Sequence, residues 1–255
     1  MRFIVCYKWT LDEEDIRVDR ETRALALDHV RQRISPYDRN AIECGVRLAE
    51  EQGGEAVALS VGGPEVADSL KDALSRGPAH AVWVGCPELS GADAAAVAKT
   101  LAAAVRHIGE YDLLICGEGS SDYYNQQTGP RLAALLGIPA VTSVSGLTLS
   151  GRVLRAERKL EEGLEIVETD LPALVTVLPD IGEARIPNLK QILAAGKKPV
   201  VRLTPAELGL GPEALEPRAR RESLLGTVAD RKRIVLRGEG AVAELLTKLR
   251  AEGRC

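Results

Sequence analysis

The sequence predicts an α/β fold: an open, mostly parallel, doubly wound sheet with a small antiparallel β addition and a C-terminal arm. Short apolar runs of strand length alternate with amphipathic helical segments from the first residues onward, the pattern of a parallel sheet covered by helices on both faces. Each run is closed by a glycine, a proline or a polar turn. After residue 143 the character changes to alternating strands separated by charged residues, which reads as antiparallel pairing.

The strands of the parallel part are expected at 3–7, 56–60, 81–85, 113–117 and 140–143. Between the first two, Ser35 and Pro36 open a helix as N-cap and first-turn proline, with Ala41, Cys44, Leu48 and Ala49 at core-facing spacing. A second helix is expected over 64–76, with Val66, Leu70, Ala73 and Leu74 on one face and Gly77 as its stop. An alanine-rich third helix spans 93–108. A fourth begins around 125–128 and ends at Gly137, which requires Pro130 to lie in its first turn.

Residues 16–30 interrupt the alternation and read as a hairpin inserted after the first strand. Residues 147–156 and 164–168 read as antiparallel strands leading into a last core strand at 173–178, and the regular core is expected to finish near Pro179. The domain reading is therefore one α/β domain over 1–207, including a loop at 179–198. It is followed by a segment over 208–255 with Pro212, Pro217 and a terminal helix near 241–249, either an arm over a partner or an edge helix.

Composition narrows the function classes. Hydrophobic residues make up 45% and charged residues 27%, which argues against a disordered chain. Aromatics are only 3%, so the core is aliphatic, and Trp9, Trp83, Tyr123 and Tyr124 stand out. A net charge of −4 gives no basic footprint for nucleic acid, and the basic runs at 218–221 and 231–233 read as a solvated or protein-contacting face. Cys6, Cys44, Cys86, Cys116 and Cys255 are widely spaced and include no CxxC pair, so neither a disulfide framework nor a zinc site is expected, and no metal. Residues 1–8 lack a signal-peptide layout and no apolar stretch is long enough to span a membrane; a cytoplasmic, non-membrane protein is the expectation.

In an open parallel sheet, ligands bind beyond the carboxyl ends of the strands, where amides at helix N-termini receive anions. Four features converge there: residues 6–8, the Ser35–Pro36 helix start, Val61 with Gly62 and Gly63, and the stretch 117–129, GEGSSDYYNQQTG. The last lacks the lysine of a Walker loop and the third glycine of a dinucleotide fingerprint. Its glycines, hydroxyls and amides suit a phosphate, and equally a polar strand-to-helix loop with a capping cluster. His29, His80 and His107 have no pairing for metal or triad chemistry, and Ser120 and Ser121 lack the GxSxG pattern. With no catalytic residues to nominate, a binding protein rather than an enzyme is expected.

One long stretch, 156–177, AERKLEEGLEIVETDLPALVTV, resembles the signature of electron transfer flavoprotein β subunits: a basic strand, an acidic turn, an alternating strand and Leu-Pro-Ala before the last core strand. Asp122 to Gly129 resembles that family's AMP phosphate loop, and Ile186, Pro187 and Asn188 resemble its Leu-Pro-Asn recognition loop. The opening VCYK and the SPY at 35–37 also fit, so the resemblance covers essentially the whole chain.

The resemblance implies an adenine-nucleotide α-hydrolase-like fold that buries one AMP and pairs as a heterodimer with an α subunit carrying FAD. It implies AMP contacts at Cys6, Ser35, Val61, Gly117, Asp122, Asn125, Gln126, Gln127 and Thr128, and docking of dehydrogenases, such as acyl-CoA dehydrogenases, at Ile186, Pro187 and Asn188. Electrons would pass on to the respiratory chain, with ETF-quinone oxidoreductase as acceptor, and 208–255 would cover the α subunit. This chain departs from the family pattern at Ser35, where asparagine is usual, and at Tyr123 and Tyr124, where acidic residues are. Two alternatives stand beside it: a flavin-bifurcating β subunit with a second FAD in the pocket, which shares Pro130 but not the bulky tyrosines, and an adenine-nucleotide-binding regulatory or nucleotide-hydrolysing α/β protein.

Overall fold

In strand β1 (Arg2–Cys6), Phe3 and Val5 pack into one apolar core while Ile4 and Cys6 pack into another on the opposite face. Successive side chains leave a strand on alternate faces, so a strand covered on both must be apolar at every position. The computed structural model describes residues 1–219, 221–228 and 231–254. Arg220 and Cys255, singled out in the sequence, lie outside the described residues.

After β1 come β2 (Trp9–Leu11), β3 (Arg17–Val18), β4 (Leu25–Ala26), β5 (Gln32–Ile34), helix α1 (Pro36–Gln52), β6 (Glu55–Gly62), α2 (Leu70–Ser75), β7 (His80–Gly85), α3 (Ala94–Ile108) and β8 (Leu113–Gly117). The chain continues through α4 (Thr128–Leu136), β9 (Ala140–Ser150), β10 (Val153–Leu160), β11 (Gly163–Asp170), β12 (Ala173–Val177), α5 (Leu189–Ala195), β13 (Val200–Leu203), α6 (Pro212–Leu215) and α7 (Ala241–Ala251).

Nine strands form one sheet in the order β11-β10-β9-β12-β8-β1-β6-β7-β13. It is parallel from β9 to β13 and antiparallel where β10 and β11 extend it. One core packs the sheet against α1 and α2 through residues such as Ala41, Leu48, Leu70 and Leu74. The other packs it against α3 and α4 through Leu101, Val105, Leu132 and Ala133. The doubly wound α/β fold is as the sequence predicts.

Four local expectations change. The single helix expected over 64–76 is a 3-10 turn, Pro64–Ser69, followed by the short α2. Ser69 explains the break: its hydroxyl donates to the Val66 carbonyl at 2.6 Å and meets the Tyr7 hydroxyl at 2.8 Å, competing with the backbone for an acceptor. The strand expected to stop at 143 runs on to Ser150, because Ser143 takes a left-handed φ of 58° at a register shift and the ladder continues past this bulge. Residues 147–156 are accordingly not one strand but the β9–β10 hairpin, turning at Gly151 with φ 59°.

The core also does not finish at Pro179, since β13 pairs with β7 from Val200↔Ala81 to Leu203↔Val84. The Lys198 ammonium fixes this return by donating to the carbonyls of Leu74, Gly77 and Pro78 at 2.6–3.1 Å. The hairpin at 16–30 is present as the β3–β4 pair, and β2 and β5 pair separately with each other.

The chain divides into two compact units, one of Met1–Ile16 with Asp28–Glu222 and one of Arg17–Leu27 with Ser223–Cys255. The larger unit thus runs on past residue 207 to Glu222, and the hairpin strands group with the residues from Ser223 onward. Within the smaller unit, Gly226 exchanges backbone and side-chain bonds with Arg23: its N–H donates to the Arg23 carbonyl at 2.8 Å and its carbonyl accepts from Arg23 Nε at 3.0 Å.

Helix α1 seats on the sheet at Gly45, where a Cβ would stand 2.4 Å from Val5 Cγ2 and 3.3 Å from Ile115 Cδ1. Both neighbours are fully buried and cannot yield without moving the core. Gly45→Ala is expected to destabilise the fold by roughly 1–3 kcal/mol through overpacking, despite alanine's better helix propensity. Thermal and urea unfolding of the variant check it: equal or higher stability would contradict this packing.

Candidate functional site

From β1 the chain moves outward through β6 and β7, and from β8 it moves the other way to β12, so the order reverses between β1 and β8. Such a reversal leaves a crevice at the carboxyl ends of the two strands. Here it opens into a cavity of about 780 Å³, lined by the ends of β1, β6 and β8, the loop 117–127, the first turns of α3 and α4, and Arg218, Ala219 and Arg221. That lies within the roughly 300–1,000 Å³ range of small-molecule pockets.

Asp38, in the first turn of α1, holds the crevice from below. Its Oδ2 accepts the Lys8 N–H at 2.8 Å and its Oδ1 the Gly117 N–H at 3.2 Å, joining the ends of β1 and β8. Burial pushes its carboxyl up to about 7, against the two backbone N–H groups and the Lys8 ammonium, which act in the other direction. Cys6 and Cys116, side by side on the floor, are in hydrogen-bonding contact; that bond and burial push the Cys116 thiol up.

The two helices that point at the cavity differ at their N-termini. Asp93 caps α3 with one oxygen, accepting from Ala95 and Ala96 N–H at 3.0 and 2.8 Å, and with the other accepts from Arg218 and Ala219 N–H at 2.7 and 3.1 Å. Burial opposes the charge on Asp93, but these four donors hold its carboxyl below the ordinary range. Helix α4 has Gln127 at its N-cap with no side-chain bond to the first turn, so its opening amides face the cavity free of a capping side chain. Gly129 lets this turn come close: a Cβ there would stand 2.5 Å from Thr176 Cγ2. Pro130 is the third residue of α4, inside the first turn as the sequence requires.

The loop before α4 is bent by left-handed residues, Tyr124 at φ 47° and Gln126 at φ 55°. The Tyr124 ring lies 5.3 Å from that of Tyr37 and its hydroxyl donates to Glu118, which pushes the phenol up to about 12. Tyr123 lines the cavity, with Lys8 Nζ 4.8 Å from its ring centroid and Arg221 donating to its hydroxyl. Arg131 Nε donates to Gln127 Oε1 at 3.1 Å at the same mouth.

Of the residues nominated from sequence, Cys6, Val61, Gly117, Asn125, Gln126, Gln127 and Thr128 line the cavity together. Ser35 and Asp122 do not. Ser35 is fully buried; it stands at the N-cap of α1 but makes no side-chain cap bond, and its hydroxyl instead accepts the Ser121 N–H at 3.4 Å, supporting the loop from beneath. Asp122 pairs with Lys8 Nζ at 2.6 Å and accepts from Ser120; burial opposes its charge, yet Lys8 holds its carboxyl below the ordinary range. Asp38, Asp93, Arg131, Arg218 and Arg221 were not nominated. Arg218 and Arg221 carried a signal, the basic run at 218–221, but their distance in sequence from the sheet hid where it lands.

Ile186, Pro187 and Asn188 lie away from the cavity. Ile186 is 90% exposed, and on α5 Leu189 and Leu193, one turn apart, are 72% and 63% exposed. Asn188 forms a capping box, accepting from Gln191 N–H at 3.0 Å and donating its own N–H to Gln191 Oε1 at 2.8 Å. Among the described residues, no helix is long and apolar enough to cross a membrane, and no cluster of three or more His, Cys, Asp or Glu residues is placed to hold a metal ion.

A family model described as the electron transfer flavoprotein domain matches residues 23–208, well over half of the chain and all of the parallel sheet after β1.

Asp38 sets a pH dependence. Its folded pKa, about 7, is above its ordinary value of 3.8, so between these the native state binds the extra proton. Stability from this group is then complete below the ordinary value and is lost as pH rises through the folded one. In urea unfolding from pH 4.5 to 7.5, Asp38→Asn is expected to remove a falling component of the wild-type profile. Its stability is also lower overall, because its amide replaces one of two acceptors. Parallel profiles would contradict the assignment.

Proposed function

Since the chain belongs to the electron transfer flavoprotein family, we propose that it is the small β subunit of such a flavoprotein, a nucleotide-holding docking platform rather than an enzyme. What carries the reading is a pairing within one compact unit: a cavity at the strand switch point whose α4 N-terminus lacks a capping side chain, and an almost fully exposed Ile186 on a braced loop.

The residues around the cavity suit AMP. The first-turn amides of α4 and the Arg131, Arg218 and Arg221 side chains offer donors and positive charge to a phosphate, and glycine at 129 seats that turn close on the sheet at Thr176. Asn125, Gln126 and Gln127 add amide groups, and Val61, Val97 and Leu101 form an apolar wall for a base. The nucleotide has a structural role here.

FAD, held by the partner α subunit, supplies the redox chemistry when bound. This chain's own contribution is to orient partners. Ile186, Leu189 and Leu193 form an apolar face that can fill a pocket on a donor dehydrogenase, of which acyl-CoA dehydrogenases are the proposed class, with ETF-quinone oxidoreductase and the respiratory chain beyond it. Free thiols at Cys6, Cys44, Cys86 and Cys116 suit a reducing, cytoplasmic setting.

Mass spectrometry of ligand released from the purified heterodimer, with its visible absorption, is expected to give one AMP and one flavin. Two flavins would instead support the bifurcating type, and ATP turnover a nucleotide-hydrolysing protein. In steady-state reduction by an acyl-CoA dehydrogenase, Ile186→Ala is expected to raise KM about tenfold, as loss of a central anchor does. Nucleotide content should not change, and unaltered donor kinetics would remove Ile186 from the interface.

A further inference from the structure

Arg185 immediately precedes the exposed Ile186, yet its own side chain runs back onto α1. Nε and Nη2 donate to the two oxygens of Glu43 at 2.6 and 2.9 Å, and Nη1 and Nη2 donate to the two oxygens of Glu50 at 2.8 and 3.1 Å. One guanidinium thus forks onto two carboxylates. The Arg185 N–H adds a bond to Glu43 at 3.1 Å, and its carbonyl accepts from Arg76 at 3.4 Å, itself held by Asp72 at 2.9 Å.

Glu43 and Glu50 stand two helical turns apart on one face of α1. Arg47, between them, donates to the Ile181 carbonyl at 3.4 Å, so the same face grips the loop at both 181 and 185. On the other side, the Asn188 capping box fixes the start of α5. Only Ile186 and Pro187 lie between the two fixed points, and proline has its φ already set.

We propose that Arg185 is a positioning residue for partner docking: it holds the backbone from which Ile186 projects, so that the loop is ordered before a partner arrives. The inference rests on the reading of Ile186 as a docking anchor. Ordering of a loop in advance removes that entropy loss from the binding step, which raises affinity without adding a contact. Lysine could not replace the arginine, because a single point charge does not fork onto two carboxylates.

The test uses the heterodimer carrying Arg185→Ala, Arg185→Lys, Glu50→Gln or Ile186→Ala. Amide hydrogen exchange at residue 185, whose N–H donates to Glu43, taken relative to the intrinsic rate of each sequence, reduction by an acyl-CoA dehydrogenase and reduction by dithionite, which needs no docking, are measured for each. Arg185→Ala is expected to speed exchange at 185 by about tenfold and to raise KM for the dehydrogenase by roughly three- to tenfold. Its kcat, dithionite reduction and nucleotide content should stay at wild-type values. Arg185→Lys should recover only part of the loss. Glu50→Gln, which leaves the Glu43 fork in place, should shift both readouts in the same direction by less. Exchange at 185 that is unchanged in Arg185→Ala overturns the proposal. So does faster exchange without a higher KM when Ile186→Ala does raise it. An unchanged KM in Ile186→Ala overturns the docking reading itself, and the inference with it.

Discussion

The site depends on one buried carboxylate, that of Asp38, between the N–H groups of Lys8 and Gly117. Two parallel strands that diverge at a switch point have amides at their ends with no ladder partner, and a buried N–H without an acceptor is costly. Asp38 answers both at once. Lys8 is held in the other direction too, since its carbonyl accepts the Ser35 N–H at 3.0 Å. The chain can therefore leave β1, run out through β2 and return by β5 without loosening the point where the sheet ends. Because Asp38 lies only three residues after Ser35, the helix that follows the excursion also closes its neck.

With the strand ends fixed, the difference between the two helix N-termini decides where an anion can go. Asp93 brings a negative charge to the start of α3 and uses its second oxygen to hold the backbone at 218–219. The start of α4 has no such carboxylate, and Arg131, Arg218 and Arg221 lie at the same mouth. One aspartate thereby withdraws a helix dipole from the site and delivers two arginines to it. Arg218, Ala219 and Arg221 accordingly belong to the compact unit of the parallel sheet.

The parallel sheet was legible because strands buried on both faces are written as unbroken apolar runs, and the helices that cover them carry capping and stop residues. Where reading failed, a residue's role was set by something distant. Ser143 reads as a strand end, whereas its left-handed φ lets the strand pass through a bulge against β12 and continue to Ser150. β13 was missed since an edge strand with Val200 and Val201 more than a third exposed needs only four residues and a neighbour, and β7 supplies the neighbour. In the site, the loop 125–128 was legible from its composition. Asp38 was not, because an acid in a first helical turn is common, and nothing local says that its acceptors serve Lys8 and Gly117. Ser35 stands at the N-cap the sequence suggests, but that its hydroxyl accepts from the Ser121 N–H, far along the chain, is written in nothing local.

The cavity and the exposed Ile186 loop both hang on α1. Asp38 in its first turn fixes the cavity floor, and Glu43, Arg47 and Glu50 farther along fix the loop that presents Ile186. A helix of 17 residues, seated at Gly45 against Val5 and Ile115, is stiff over that length, and close-packed interiors do not let such a seat drift. The distance from the cavity to the exposed Ile186 loop is then set by a single element rather than by a chain of loops. Under the proposed reading of a nucleotide-holding docking platform, such a frame is what keeps the two ends in register. On that reading, positions along α1 that touch neither end contribute through its rigidity.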